Sequence, residues 1–203
     1  VSTFAQKPGL NLALDGRFDL FSHHVYAGQP DQLDSTLWLA VVAQPVGEAP
    51  VTLRLLEGST SLSQATRKGQ TSSPFLPLPS LMAESGTAIA SGPGSKVAGD
   101  LLRGDKANEL PEQWTIPAGS ITPLVVLPIP VAGLDPLLNG RNLQLRLQSS
   151  GPVHLATLAA YGDDDKAPNP QTWSKLLKTG KQSPKEHQPT PRGARGRMVY
   201  SRV

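Results

Sequence analysis

The chain has 203 residues, with 20 Pro, 19 Gly, no Cys, 17% charged residues and a formal net charge of +3. That length suits one large domain, or one domain with an appendage. Lack of Cys excludes a disulfide scaffold, a thiol nucleophile and a thiolate metal site, and no apolar run approaches the roughly 18 residues of a membrane-spanning helix.

Abundant Pro and Gly with little charge point to many short strands and turns rather than long helices. Leu10–Leu14 alternates with period two, and Asp15-Gly16 marks a turn. Phe18–Tyr26 reads as a second strand. Leu37–Ala43 is a near-continuous apolar strand, suited to the centre of a sandwich. Pro45–Pro50 turns the chain, and Val51–Leu56 returns with clean alternation, so the two strands resemble an antiparallel hairpin. Ser59–Ser73 is polar and irregular.

Pro74–Pro79 cannot form a central strand, because proline lacks the ladder donor. Ser95–Arg103 fits a short helix with Ser95 as cap and Gly104 at the C-terminal turn. Gln113–Ile116 and Ile121–Val131 are strands around the turn Pro117–Ser120; Pro74–Pro79 and the set Pro123, Pro128 and Pro130 would pin edge strands or loops against self-association, a reading preferred to an apolar groove for a partner. Asn139-Gly140 is a turn dipeptide. Arg141–Gln148 and Val153–Tyr161, separated by Ser150-Gly151, form the strongest hairpin pattern. Asn169-Pro170 caps a helix over Gln171–Thr179 with Trp173, Leu176 and Leu177 on one face.

The result is mainly β: an antiparallel β-sandwich, jelly-roll-like or Ig-like, with one or two short helices. Its boundaries are a β-sandwich domain over 1–180, a basic Pro/Gly-rich linker or loop over 181–197, and the start of a further strand at 198–203. From Lys178 to Val203, seven basic residues face one acid, Glu186, so this end carries +6 and the rest −3. The basic character therefore belongs to the C-terminal segment.

His23-His24 is the most conspicuous polar pair. Strand neighbours point to opposite faces, so the rings cannot share a metal without distortion. One faces the core and bonds to backbone, and the other faces solvent. That reading is preferred to a ligand-binding or acid–base role. Asp163-Asp164-Asp165 are candidate ligands for a hard cation, but they lack the alternate spacing and distal Glu of a calcium loop. An exposed acidic turn before the helix is preferred. Arg192, Arg195 and Arg197 lie in a short arginine–glycine tract. A solvated linker is preferred there, ahead of an anionic glycan or lipid surface, with nucleic acid last. No residue set requires a cofactor, and none has the spacing of a catalytic motif.

Gly16-Arg-Phe-Asp-Leu-Phe-Ser-His-His-Val25, Pro74–Pro79, Ser91–Ser95, Val97–Gly104, Leu127–Val131, Leu138–Arg141 and Gly151–Val153 occur in order along the chain. Together they resemble an uncharacterised family of exported cyanobacterial proteins, known only as a domain of unknown function. The resemblance runs from about Val1 to Val203 and implies a cell-envelope, periplasmic or extracellular location. It also implies a longer parent protein, which agrees with a final strand that stops mid-pattern and a start at Val1 rather than Met. It carries over no catalytic residue. The expected role is non-enzymatic, structural or binding, with other protein subunits or surface polysaccharide as partners and a homo-oligomer admitted. Two alternatives remain: a hydrolase acting on glycan or peptide through His23 or His24, and a weak nucleic-acid or polyanion binder using the basic segment.

Overall fold

The computed structural model describes residues 13–31, 35–63, 66–67, 70–71, 93–134, 136–163, 166–179, 187–192 and 196–200. The first strand expected, at Leu10–Leu14, falls mostly outside these, and Leu14 makes a bridge to Val153. Pro74–Pro79, Asp164, Asp165 and Arg195 lie outside them altogether.

Seven strands form two antiparallel sheets. Arg17–Ala27 (β1), Leu138–Ser149 (β8), Val51–Leu62 (β3) and Gln113–Ile116 (β6) lie in the order β1-β8-β3-β6. Thr122–Ile129 (β7), Ser35–Pro45 (β2) and Val153–Asp163 (β9) form the second sheet, in the order β7-β2-β9. The sheets stack as a β-sandwich. Their inner faces enclose Val41, Leu53, Leu55, Ile116, Leu143, Leu145, Leu147 and Leu155, all fully or nearly fully buried. Short pairs also occur at Thr66–Arg67 (β4) with Gln70–Thr71 (β5), and at His187–Arg192 (β10) with Gly196–Tyr200 (β11).

A helix lies over part of each outer face. Pro170–Thr179 (α2) covers the three-stranded sheet, burying Trp173 and Leu177 against Trp38, Ala40, Val42 and Ala156. β2 is therefore apolar on both faces, which explains its unbroken apolar sequence. The α2 start is capped as expected: the Asn169 Oδ1 accepts from the Thr172 amide at 2.9 Å, and Pro170 occupies the first turn. Pro93–Leu102 (α1) covers the other sheet over β3 and β8. It begins before Ser95, so Ser95 lies within the first turn instead of capping it. Its end matches the expectation, with Gly104 at φ +72° and its amide bonded to the Leu101 carbonyl at 3.0 Å.

Two expected pairings are corrected. β2 and β3 do not pair, nor do β8 and β9; in each case the two strands belong to opposite sheets, as do β6 and β7 on either side of the Pro117–Ser120 turn. Each turn is an arch across the core, not a hairpin. Alternation cannot separate the two, because either way the inward residues flanking the turn are apolar. Ala43 and Val51, Ile116 and Leu124, and Leu147 and Val153 each meet in the same core cluster. The arches also bond to one another: the Val46 amide donates to the Pro152 carbonyl at 2.9 Å, and the Ser150 amide to the Thr52 carbonyl at 3.0 Å.

Ser59–Leu62, expected to be irregular, continues β3. Its polar residues are satisfied in place, Ser59 by α1 and Thr60 by the Asn142 carbonyl. β7 is an edge strand, so Pro123 and Pro128 sit where a missing amide is tolerated.

Candidate functional site

β1 is an edge strand, and its alternation runs against hydropathy in its second half. Phe18 and Leu20 pack toward the core. Beyond them, Ser22, His24 and Tyr26 are buried, whereas Phe21 and Val25 are each 55% exposed and His23 between them is also exposed. Over Phe21–Val25 the two inward side chains, Ser22 and His24, are thus polar, and two of the three outward ones are apolar. His23 and His24 lie on opposite faces, as strand geometry requires.

The outward face is continued by β8. Antiparallel pairing sets Asp19 opposite Arg146, Phe21 opposite Gln144, His23 opposite Asn142 and Val25 opposite Gly140. Arg146 donates to Asp19 at 3.0 Å and to Glu57 at 2.7 Å, tying β1, β8 and β3 at one end of the strip. His23 Nδ1 meets the Asn142 Oδ1 at 2.8 Å. A carbonyl oxygen only accepts, so Nδ1 carries the hydrogen and the other ring nitrogen, Nε2, is an acceptor in the neutral ring. Gln144 is half-buried beside Phe21, and its amide has no hydrogen-bond partner among the described residues.

The inward face is a small polar cluster at one end of the core. His24 Nδ1 lies 3.0 Å from the Ser22 hydroxyl; the expectation of a backbone partner is replaced by this side-chain one. Burial, with a smaller contribution from His23, lowers the His24 pKa to about 4. Charging a buried imidazole forfeits hydration that the site does not replace. Tyr26 meets Tyr161 edge-to-face at 5.8 Å. Arg141, opposite His24, is 7% exposed and reaches across the layers. It donates to the Pro128 carbonyl at 2.7 Å and to Thr60 Oγ1 at 3.0 Å. Burial pulls its pKa down to about 10, against the attraction of Glu109.

The other sequence candidates lie elsewhere. Asp163 ends β9, and its carbonyl accepts from the Trp38 indole at 3.2 Å. Among the described residues, no three His, Asp or Glu side chains are grouped to hold a metal. Arg192 pairs with Gly196, and Pro191 with Arg197, in the β10–β11 ladder.

Two features escaped the sequence reading. Asp100 on α1 is buried, receiving the Ser59 hydroxyl at 2.5 Å, Lys96 at 2.8 Å and Arg103 at 2.6 Å. Burial alone would raise its pKa, but the bonds from Lys96 and Ser59 and the charges of Lys96 and Arg103 outweigh it and hold it low. The Lys96–Asp100–Arg103 spacing on one helix face was the available signal. The second is the Gln144 amide, which alternation places outward but which only the register sets beside Phe21.

The chain belongs to the family described as Protein of unknown function (DUF3370), whose model matches residues 1–203. Nothing among curated proteins or solved structures matches it.

Proposed function

We propose that this chain is a non-enzymatic binding domain of the cell envelope, periplasmic or extracellular, which engages surface polysaccharide or another protein subunit through the outward face of β1 and β8. The observation that carries this is the reversed polarity of β1: Phe21 and Val25 are each 55% exposed while Ser22 and His24 are buried. A fold gains stability by burying the first pair and exposing the second, and departures from such local consistency concentrate where function requires them. The strip lies on a strand held by the full length of β8, so its side chains are positioned in advance. Export, cyanobacterial origin and a longer parent protein belong to the same proposal, resting on the motif resemblance. β1 ends its sheet among the described residues, which is compatible with a homo-oligomer.

A second reading has one specific observation behind it. Ser22 and His24 stand at 3.0 Å, the spacing of a nucleophile and its base. However, a general base works best with a pKa near the operating pH, and His24 is held at about 4.

Co-sedimentation with purified envelope fragments tests the proposal. The chain should pellet with them, and Phe21→Ser/Val25→Ser should abolish this while the fold is retained. Replacing Arg192, Arg195 and Arg197 with Gln should leave pelleting unchanged; loss there would transfer the role to the basic segment. Equal pelleting of wild type and the Phe21/Val25 variant would sink the proposal. Release of reducing sugar or peptide that His24→Ala abolishes would establish the enzyme instead.

A further inference from the structure

We infer that the outward strip of β1 and β8 is a saccharide subsite, with Phe21 as platform and His23 and Gln144 as polar contacts, and that its ligand is a neutral polysaccharide. The inference rests on the binding-face reading and names its ligand. Three features of the strip select that chemistry.

The first is hydrogen-bond type. Each sugar hydroxyl both donates and accepts. In the neutral ring His23 offers an acceptor at Nε2, because the Asn142 carbonyl takes the hydrogen on Nδ1. Gln144 offers a donor and an acceptor, with neither engaged among the described residues. His23 and Gln144 are diagonal neighbours across the β1–β8 ladder. Such neighbours lie about 7–8 Å apart at the backbone, within reach of long side chains. Adjacent hydroxyls on one ring can therefore contact both.

The second is the apolar component. Phe21 stands directly opposite Gln144, so an exposed aromatic ring neighbours that amide. A pyranose has an apolar C–H face and a polar rim, which matches a ring beside an amide. Val25 extends the apolar surface from Phe21 by four residues, roughly 13 Å of strand. That is longer than one sugar ring and suits a polymer lying along the strand.

The third is charge. The outward residues Phe21, His23 and Val25 and their β8 partners Gln144, Asn142 and Gly140 include no Asp, Glu, Lys or Arg; Arg141, opposite His24, is buried on the inward face. Arg146, on this face, is already bound by Asp19 and Glu57, and Lys96 and Arg103 on α1, which covers the neighbouring part of the sheet, are bound by Asp100. An anionic glycan would find no uncommitted cation in the strip, and desolvating its charge would go uncompensated. A neutral chain meets no such penalty.

Affinity electrophoresis of the full chain tests this, with dextran, mannan and hydroxyethyl cellulose as neutral polymers and dextran sulfate as the anionic comparator. At least one neutral polymer should retard the chain. Phe21→Ala and Gln144→Ala should each weaken retardation about tenfold or more with an unchanged thermal midpoint, since neither side chain supports the core. Retardation by dextran sulfate alone, by no polymer, or by a neutral polymer equally in both variants overturns the inference. The binding face itself is judged separately. If envelope pelleting is lost in Phe21→Ser/Val25→Ser while no neutral polymer retards the chain, the face stands with a protein partner and only the saccharide assignment fails. If pelleting is unaffected by that variant, both fail.

Discussion

The buried His24 gives the most quantitative prediction. In the unfolded chain its imidazole takes up a proton near 6.5, whereas in the fold it does so only near 4. Between those values the unfolded state binds more protons, so stability must fall as the pH falls. The contribution is complete above 6.5 and is lost progressively down to about 4. At about 1.4 kcal/mol per pH unit, that gap corresponds to about 3 kcal/mol. His24→Gln removes the titration but keeps a polar side chain. Urea unfolding of wild type and His24→Gln at pH 7 and pH 4 measures the difference. Wild type should lose about 3 kcal/mol more than the variant across this range; other titrating groups are common to both and cancel. Should the variant not fold, the His24 Cε1 NMR signal in wild type gives the same information. Parallel pH profiles, or an NMR midpoint near 6.5, would refute the argument that burial without a charged partner controls this ring.

Asp100→Asn should destabilise the fold by about 1–3 kcal/mol at pH 7, the lower part of the range reflecting the half-exposed Lys96 and Arg103. Because the folded Asp100 pKa is depressed, this contribution is present above its ordinary value of 3.8 and lost as pH falls below it, so the two proteins should converge in urea unfolding under strong acid. Trp173→Ala should cost about 3–5 kcal/mol in urea unfolding, because the indole is 1% exposed between α2 and the outer face of β2. Asn169→Ala, measured the same way, should cost about 1 kcal/mol through loss of the α2 cap. Gly162→Ala should lower the thermal midpoint, because the added carbon would meet the Lys166 carbonyl oxygen at 2.6 Å and Trp38 at 3.0 Å.

Strand existence was legible in the sequence because alternation reports which side chains must be buried, whatever they are buried against. Strand pairing was not. The β8–β9 pattern carried the clearest hairpin signal, yet the Ser150-Gly151 turn carries the chain from one sheet to the other. An inward Leu147 and an inward Val153 satisfy a hairpin and an arch equally, and only contacts distant in sequence choose between them. In β3, the polar run Ser59–Ser61 looked irregular because its partners, Asp100 and Asn142, are remote in sequence. Helix α2 was legible almost to the residue, because its cap, its first-turn proline and its apolar face are all local.

The candidate site was half legible for the same reason. Alternation separates Asp19, Phe21 and His23 from Ser22 and His24, but it does not say which set faces inward. Hydropathy in this stretch favours burying Phe21 and Val25. A slip of one residue would do that, but it would also turn Phe18, Leu20 and Tyr26 outward. Phe18 and Leu20 pack on the main core, and Tyr26 packs with Leu39, Ile129 and Val131. These three inward contacts therefore fix the register, and Phe21 and Val25 are exposed as a consequence. Replacing them with polar residues would relieve that exposure without disturbing the register. Their apolar character around His23 is thus not imposed by the register of the strand, and the proposed binding face rests on that observation.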